Sequence, residues 1–203
     1  MNKRLKVLHV ISQRPDSTGS GIYLQAILNE SARNGHDNAL IAAIQKGSTV
    51  TPPGLSGDNC QLVYFDPDNP SDMIVGMSDV MPYPSRRFQD LDSNEVKHYL
   101  RRFREPLSSM VVRHNPDLIH SHHLWLLSGL VKDLFPDIPL ITSCHGSDLR
   151  QFNQCPHLRA EVRDGCCRID KVLALSAEQK DEIIETYRLP ADRIAIAGAG
   201  YDK

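Results

Sequence analysis

Short apolar runs alternate with stretches of helical periodicity along most of this sequence, and that rhythm limits the fold more narrowly than any other feature. Residues 5–11 (LKVLHVI) read as a strand, rich in β-branched side chains and bounded by Ser12-Gln13-Arg14-Pro15. Residues 39–44, 61–65, 117–121, 139–143, 171–175 and 193–197 repeat the pattern. Ile22, Leu24, Ile27 and Leu28 fall mostly on one helical face, and Asn34-Gly35 supplies a stop. Val96, Tyr99, Leu100, Phe103, Leu107, Met110 and Val111 mark a second amphipathic helix. Asp92 with Glu95 three residues on begins it, and Pro106 inside it predicts a kink or a break. Residues 124–135 read as another helix, and Ser176 caps one more.

Apolar strands joined by helices close as right-handed βαβ units, because a right-twisted strand lets the helix pack back onto the sheet only that way. The expected fold class is therefore α/β: one Rossmann-like domain over residues 1–203, its parallel sheet covered by helices on both faces. Residues 45–92 break the rhythm. They are rich in Gly, Pro, Asn, Asp and Ser and hold one strand pattern, so they read as an irregular insertion or functional loop.

Composition removes several function classes. A formal charge of −2 gives no global basic field, so no nucleic-acid partner is expected. No apolar run approaches the ~20 residues that span a bilayer. The start, Met1-Asn2-Lys3-Arg4, runs straight into a strand without the apolar core of a signal peptide. Five cysteines in no framework read as reduced, mostly buried thiols, which suits a cytoplasmic protein. Lys97, His98, Arg101, Arg102 and Arg104 share one helix, preceded by Arg86-Arg87. They read as a solvated face, or as a peripheral contact with anionic lipid at the inner face of the membrane.

In parallel α/β sheets, ligands collect beyond the carboxyl ends of the strands. The residues following the strands therefore matter most. After the first strand comes Thr18-Gly19-Ser20-Gly21, where a helix N-terminus would present free N–H groups to an anion or a sugar hydroxyl. The same glycines also suit a merely permissive turn. After residues 139–143 comes Cys144-His145-Gly146-Ser147-Asp148. His145 is expected to reach the cleft, and Gly146 to let backbone N–H groups approach a ligand. Asp148 reads as a helix cap or as a hydroxyl binder. His122 is expected to hydrogen-bond a polar ligand; Trp125 reads as core. His120 and His122 share a strand face, but no carboxylate partner lies at a set spacing, so no metal is assigned.

Taken in order, "STGSGIYLQAILNESARNGHDNALIAA", "PDLIHSHHLWLLSGL", "PLITSCHGSDL", "DKVLALSAEQKDEI" and "RIAIAGAGYDK" resemble the N-terminal domain of retaining family-4 glycosyltransferases with the GT-B fold. The resemblance covers nearly the whole chain and is weakest over 45–92. It implies an acceptor-side domain whose partner, a C-terminal domain binding the nucleotide sugar without metal or other cofactor, is absent from this sequence. Residues 198–203 would begin the linker to it, and the chain alone would be inactive. By the resemblance, His145 would be the catalytic residue, near the transferred sugar. Gly19, Ser20, Gly21, His122, Gly146, Ser147, Asp148 and Ser176 would contact donor or acceptor. The acceptor would be a sugar or lipid-linked glycan, in polysaccharide biosynthesis. Two other readings stand beside it. One is half of a GT-B nucleotide-sugar epimerase, which needs carboxylates that this chain does not obviously offer. The other is a non-catalytic flavodoxin-like binding or regulatory domain.

Overall fold

The computed structural model describes residues 3–50, 52, 55 and 57–199. Within these, β1 (Lys6–Ile11), α1 (Gly19–Arg33), β2 (Asp37–Gln45) and β3 (Cys60–Phe65) form the first half of the sheet. The second half is built by β6 (Leu118–His122), α3 (Leu126–Leu134), β7 (Leu140–Ser143), α4 (Ser147–Gln154), α5 (Arg159–Cys166), β8 (Lys171–Ala174), α6 (Ala177–Tyr187) and β9 (Ile194–Ile196). Between the halves lie a two-strand pair, β4 (Val75–Gly76) with β5 (Arg86–Arg87), and the long α2 (Ser93–His114).

Seven strands run parallel in the order β3-β2-β1-β6-β7-β8-β9. The step from β1 to β2 goes one way from the centre, and those from β6 to β9 go the other. With right-handed crossovers, α1 then covers one face and α2 with the later helices the opposite face. The packing agrees. Leu24 and Leu28 of α1 join Ile11, Leu40 and Ala42 in one small core. Val96, Tyr99, Phe103, Leu107 and Met110 of α2 join Leu8, Val10, Ile41 and Ile119 in a larger one, together with side chains of α3 to α6.

Local sequence explains most element ends. Thr18 caps α1, its hydroxyl accepting from the Gly21 N–H at 3.1 Å. Asp92 and Glu95 close a reciprocal capping box on α2. Pro106 does not break α2, which stays helical over 22 residues. A proline frees the carbonyl one turn before it, and the five core side chains above hold the helix across that gap.

Within residues 45–92, Ile74, Val75, Met77, Phe88 and Leu91 are buried in the larger core. The polar stretch after Asp148 folds as α4 and α5, tied down by Leu149, Phe152, Leu158 and Val162. Trp125 is core as expected, its ring edge-on to Phe88. Among the cysteines, Cys144, Cys155 and Cys166 are buried, whereas Cys167 is exposed. No helix among the described residues is long and apolar enough to cross a membrane.

Candidate functional site

The loops after β1, β6 and β7 meet at one rim and enclose a cavity of about 500 Å³. Gly19, Ser20, Tyr23, His123, His145 and Ser147 line it from the sheet side. Met77, Val80, Met81 and Pro82, from the segment between β4 and β5, make an apolar opposite wall. The described lining holds no carboxylate.

His123 is the hub of this rim, and the sequence reading did not single it out. Its backbone sits at φ +76, a conformation that a non-glycine residue rarely adopts. The turn carries the ring into the gap between α1 and α4. There His123 Nε2 lies 3.1 Å from Ser20 Oγ. Its Nδ1 lies 3.2 Å from Asp148 Oδ1 and 3.4 Å from Ser147 Oγ. The contact to Asp148 is one of charge proximity, because Oδ1 has no aligned hydrogen-bond donor. One imidazole thus ties the glycine loop to the start of α4. No sequence pattern announces a left-handed histidine, so the only available signal was the run His122-His123 at a strand end.

His145 reaches the cavity. Its Nε2 lies 3.2 Å from His122 Nδ1, and the two rings are nearly parallel with centroids 5.5 Å apart. Tyr23 meets it edge-on at 5.2 Å. Burial, reinforced by the neighbouring His123 and opposed by Asp148, lowers the His145 pKa to about 4. At neutral pH it is an uncharged imidazole with one donor and one acceptor. Gln13 is a further lining residue that the sequence reading passed over. Its Oε1 accepts from Ser20 Oγ at 3.3 Å, while its buried Nε2 has no partner. An unpaired buried amide beside a cavity is a donor awaiting a ligand.

Gly19, Ser20 and Ser147 line the cavity. Gly21 does not: a Cβ there would stand 2.8 Å from Arg14 O and Pro15 C, so this glycine serves close packing of the preceding loop. Its N–H is already claimed by Thr18, which leaves Gly19 and Ser20 with the unclaimed donors of the first turn. Gly146, at φ +83, shapes the turn into α4 as its N-cap.

Asp148 is neither that cap nor a wall of the cavity. It is fully buried, and its Oδ2 accepts from the His145 N–H at 2.6 Å. Burial works to raise its pKa, but the neighbouring His123, aided by His145 and its backbone N–H, outweighs that and holds it at about 2. Asp148 therefore stays ionised and fixes the His145 backbone. His122 is also displaced from its expected role. It is buried behind His145 and touches that ring instead of the cavity. Ser176 caps α6, accepting from the Gln179 N–H at 3.2 Å, and its neighbour Leu175 lines the cavity in its place.

The basic residues of α2 are largely answered from within the chain. Arg102 pairs with Asp72 and lies over the Phe65 ring; Arg86 and Arg87 pair with Glu95 and Asp90. Lys97, Arg101 and Arg104 face Asp133, Glu161 and Asp164 across a groove of about 470 Å³. That is a mixed-charge groove, not a basic patch. The expected linker, residues 198–203, lies mostly outside the described residues.

Known proteins supply the context for this geometry. The sequence profile described as "Glycosyltransferase Family 4" matches residues 17–203. No curated protein matches the chain in sequence. Among solved structures, sucrose-phosphate synthase from Thermosynechococcus elongatus superposes with a TM-score of 0.66 at 13% identity, over 98% of this chain and 49% of its own. HepE from Anabaena, solved with UDP and glucose, gives 0.58 at 11%, over 98% and 45%. UDP-GlcNAc 2-epimerase from Neisseria meningitidis, bound to UDP-GlcNAc, gives 0.52 at 12%, over 96% and 46%. The chain thus spans about half the length of these proteins or less, and at such identities they bear on fold alone. The profile bears on kinship: this chain is a member of glycosyltransferase family 4.

Proposed function

We propose that this chain is the acceptor-side half of a nucleotide-sugar-dependent glycosyltransferase that moves a hexosyl group to a sugar or lipid-linked glycan. The observation that carries the reading is the cavity at the strand ends. Unclaimed N–H groups of Gly19 and Ser20, the free amide of Gln13 and the neutral imidazole of His145 converge there. Preorganised neutral donors of this kind suit hydroxyl groups and the charge that spreads over a sugar ring and its leaving diphosphate at the transition state. The wall from Met77 to Pro82 would read the acceptor, since it alone among the lining segments comes from outside the strand-end loops.

The described lining offers no Lys or Arg to hold a nucleotide's diphosphate. The chain by itself is expected neither to bind a nucleotide sugar appreciably nor to turn one over; joined to a donor-binding domain, it should release nucleoside diphosphate in the presence of a glycan acceptor. Tight binding of a nucleotide sugar by residues 1–203 alone would contradict the reading. The epimerase alternative shares the fold, but the described lining offers no carboxylate for moving a proton at carbon.

A further inference from the structure

Behind His145, on the sheet face under α1, three more histidines gather outside the cavity lining. His9 of β1 and His120 of β6 are register partners, and His122 follows two residues on. They are 1%, 4% and 1% exposed. In each ring, one nitrogen is engaged by a different side chain. His9 Nε2 lies 3.3 Å from Asn38 Oδ1, His120 Nε2 lies 2.9 Å from Ser143 Oγ, and His122 Nδ1 lies 3.2 Å from His145 Nε2. The other nitrogens of His9 and His122 are buried without any partner. One nitrogen from each ring lies within 4.8 Å of the other two.

Outer partners of this kind orient the histidines of metal sites: one nitrogen is held by a neighbour, and the other presents its lone pair. Because His9 Nε2 faces an amide oxygen, it carries the proton and leaves Nδ1 as acceptor. Ring spacing offers an independent check. With metal–nitrogen bonds of about 2.0–2.1 Å, three imidazoles on a tetrahedral ion place their centroids roughly 5 Å apart. The observed separations are 4.6, 5.4 and 6.3 Å. Small ring rotations suffice to converge them.

We propose that His9, His120 and His122 bind one divalent first-row cation of the zinc class, with a fourth position left to water or hydroxide. Three neutral nitrogen ligands without thiolate or carboxylate select this class over magnesium or calcium. With Nε2 on the ion, His122 Nδ1–H donates to His145 Nε2. The ion therefore lies one hydrogen bond from the cavity and fixes which tautomer His145 presents.

The test uses the untagged chain, stripped with a chelator and titrated with cobalt(II) and then zinc(II). The expected result is one cobalt per chain with the visible bands of a four-coordinate site, displaced by zinc, and a melting temperature that rises with metal concentration. His9→Gln and His120→Gln should each weaken binding by at least the ~10–100-fold that losing even an outer partner costs. Should either variant fail to fold, proton NMR of the wild-type chain with cobalt decides, through paramagnetic shifts on the His145 and Tyr23 rings. Absence of stoichiometric uptake, unchanged affinity in a folded variant, or unshifted His145 and Tyr23 signals would each overturn the site; water would then fill the space between the rings.

Discussion

The two faces of the sheet are built to different rules. Under α2 and the later helices the packing is apolar from Phe65 and Phe103 through Ile119 to Val172. Under α1 the apolar patch is small, and beside it His9, His120 and His122 occupy positions where a parallel sheet ordinarily places Val or Ile. The first face gains stability mainly from apolar burial, the linked hydroxyls of Ser121, Thr142 and Ser128 being a small polar inclusion. The second gives some of that up to hold imidazoles in a line that ends at the cavity. Stability should therefore respond to apolar truncation on one face, and to pH on the other.

Phe103→Ala tests the apolar face most severely. The ring is wholly buried against Phe65 and Tyr99, so its loss should cost about 3–5 kcal/mol in urea unfolding. A smaller cost would mean that this face is looser than its packing implies.

Acidification tests the polar side. His145 is depressed from 6.5 to about 4 in the fold, so between those values the unfolded chain binds a proton that the folded chain refuses. Stability must then fall as pH drops through this window, by about 3 kcal/mol for a shift of this size. Asp148, at about 2 against 3.8 unfolded, extends the loss to lower pH, because it must take up a proton where it is most strongly held as an anion. Urea midpoints measured with chelator from pH 7 to 4 should decline steadily; a flat profile would contradict the burial of neutral His145.

The glycine loop sharpens the contrast on a finer scale. Gly21→Ala drives a methyl into backbone at 2.8 Å and should cost about 1–3 kcal/mol. Gly19→Ala meets open space and should leave the unfolding midpoint within about 0.5 kcal/mol, while obstructing the cavity that Gly19 lines. Paired thermal melts check both. Equal effects would remove the distinction between a packing glycine and a cavity glycine.

These outcomes also mark what the sequence could and could not disclose. The strands, the α1 stop at Asn34-Gly35 and the Asp92–Glu95 box were legible because each is written within a few neighbouring residues. His145 at the strand end was legible for the same reason. α4 and α5 were not, since their few apolar side chains meet the core only through tertiary packing. His9 looked like one residue of a strand; nothing local says that register sets it beside His120, 111 positions later. Nor could spacing show that Asp148 turns inward to the His145 backbone, that Gly21 is a packing residue, or that His123 adopts φ +76.

The central claim is that the strand-end cavity performs sugar transfer with His145 at its working edge. It is tested most directly in a chain that carries both this domain and its donor-binding partner, by comparing nucleoside diphosphate release with His145 intact and with His145→Ala. The account predicts turnover reduced by ~10² or more with the fold retained, as expected when a preorganised dipole at developing charge is removed. Turnover unchanged by the substitution would make the Cys144–Asp148 corner structural and contradict the account.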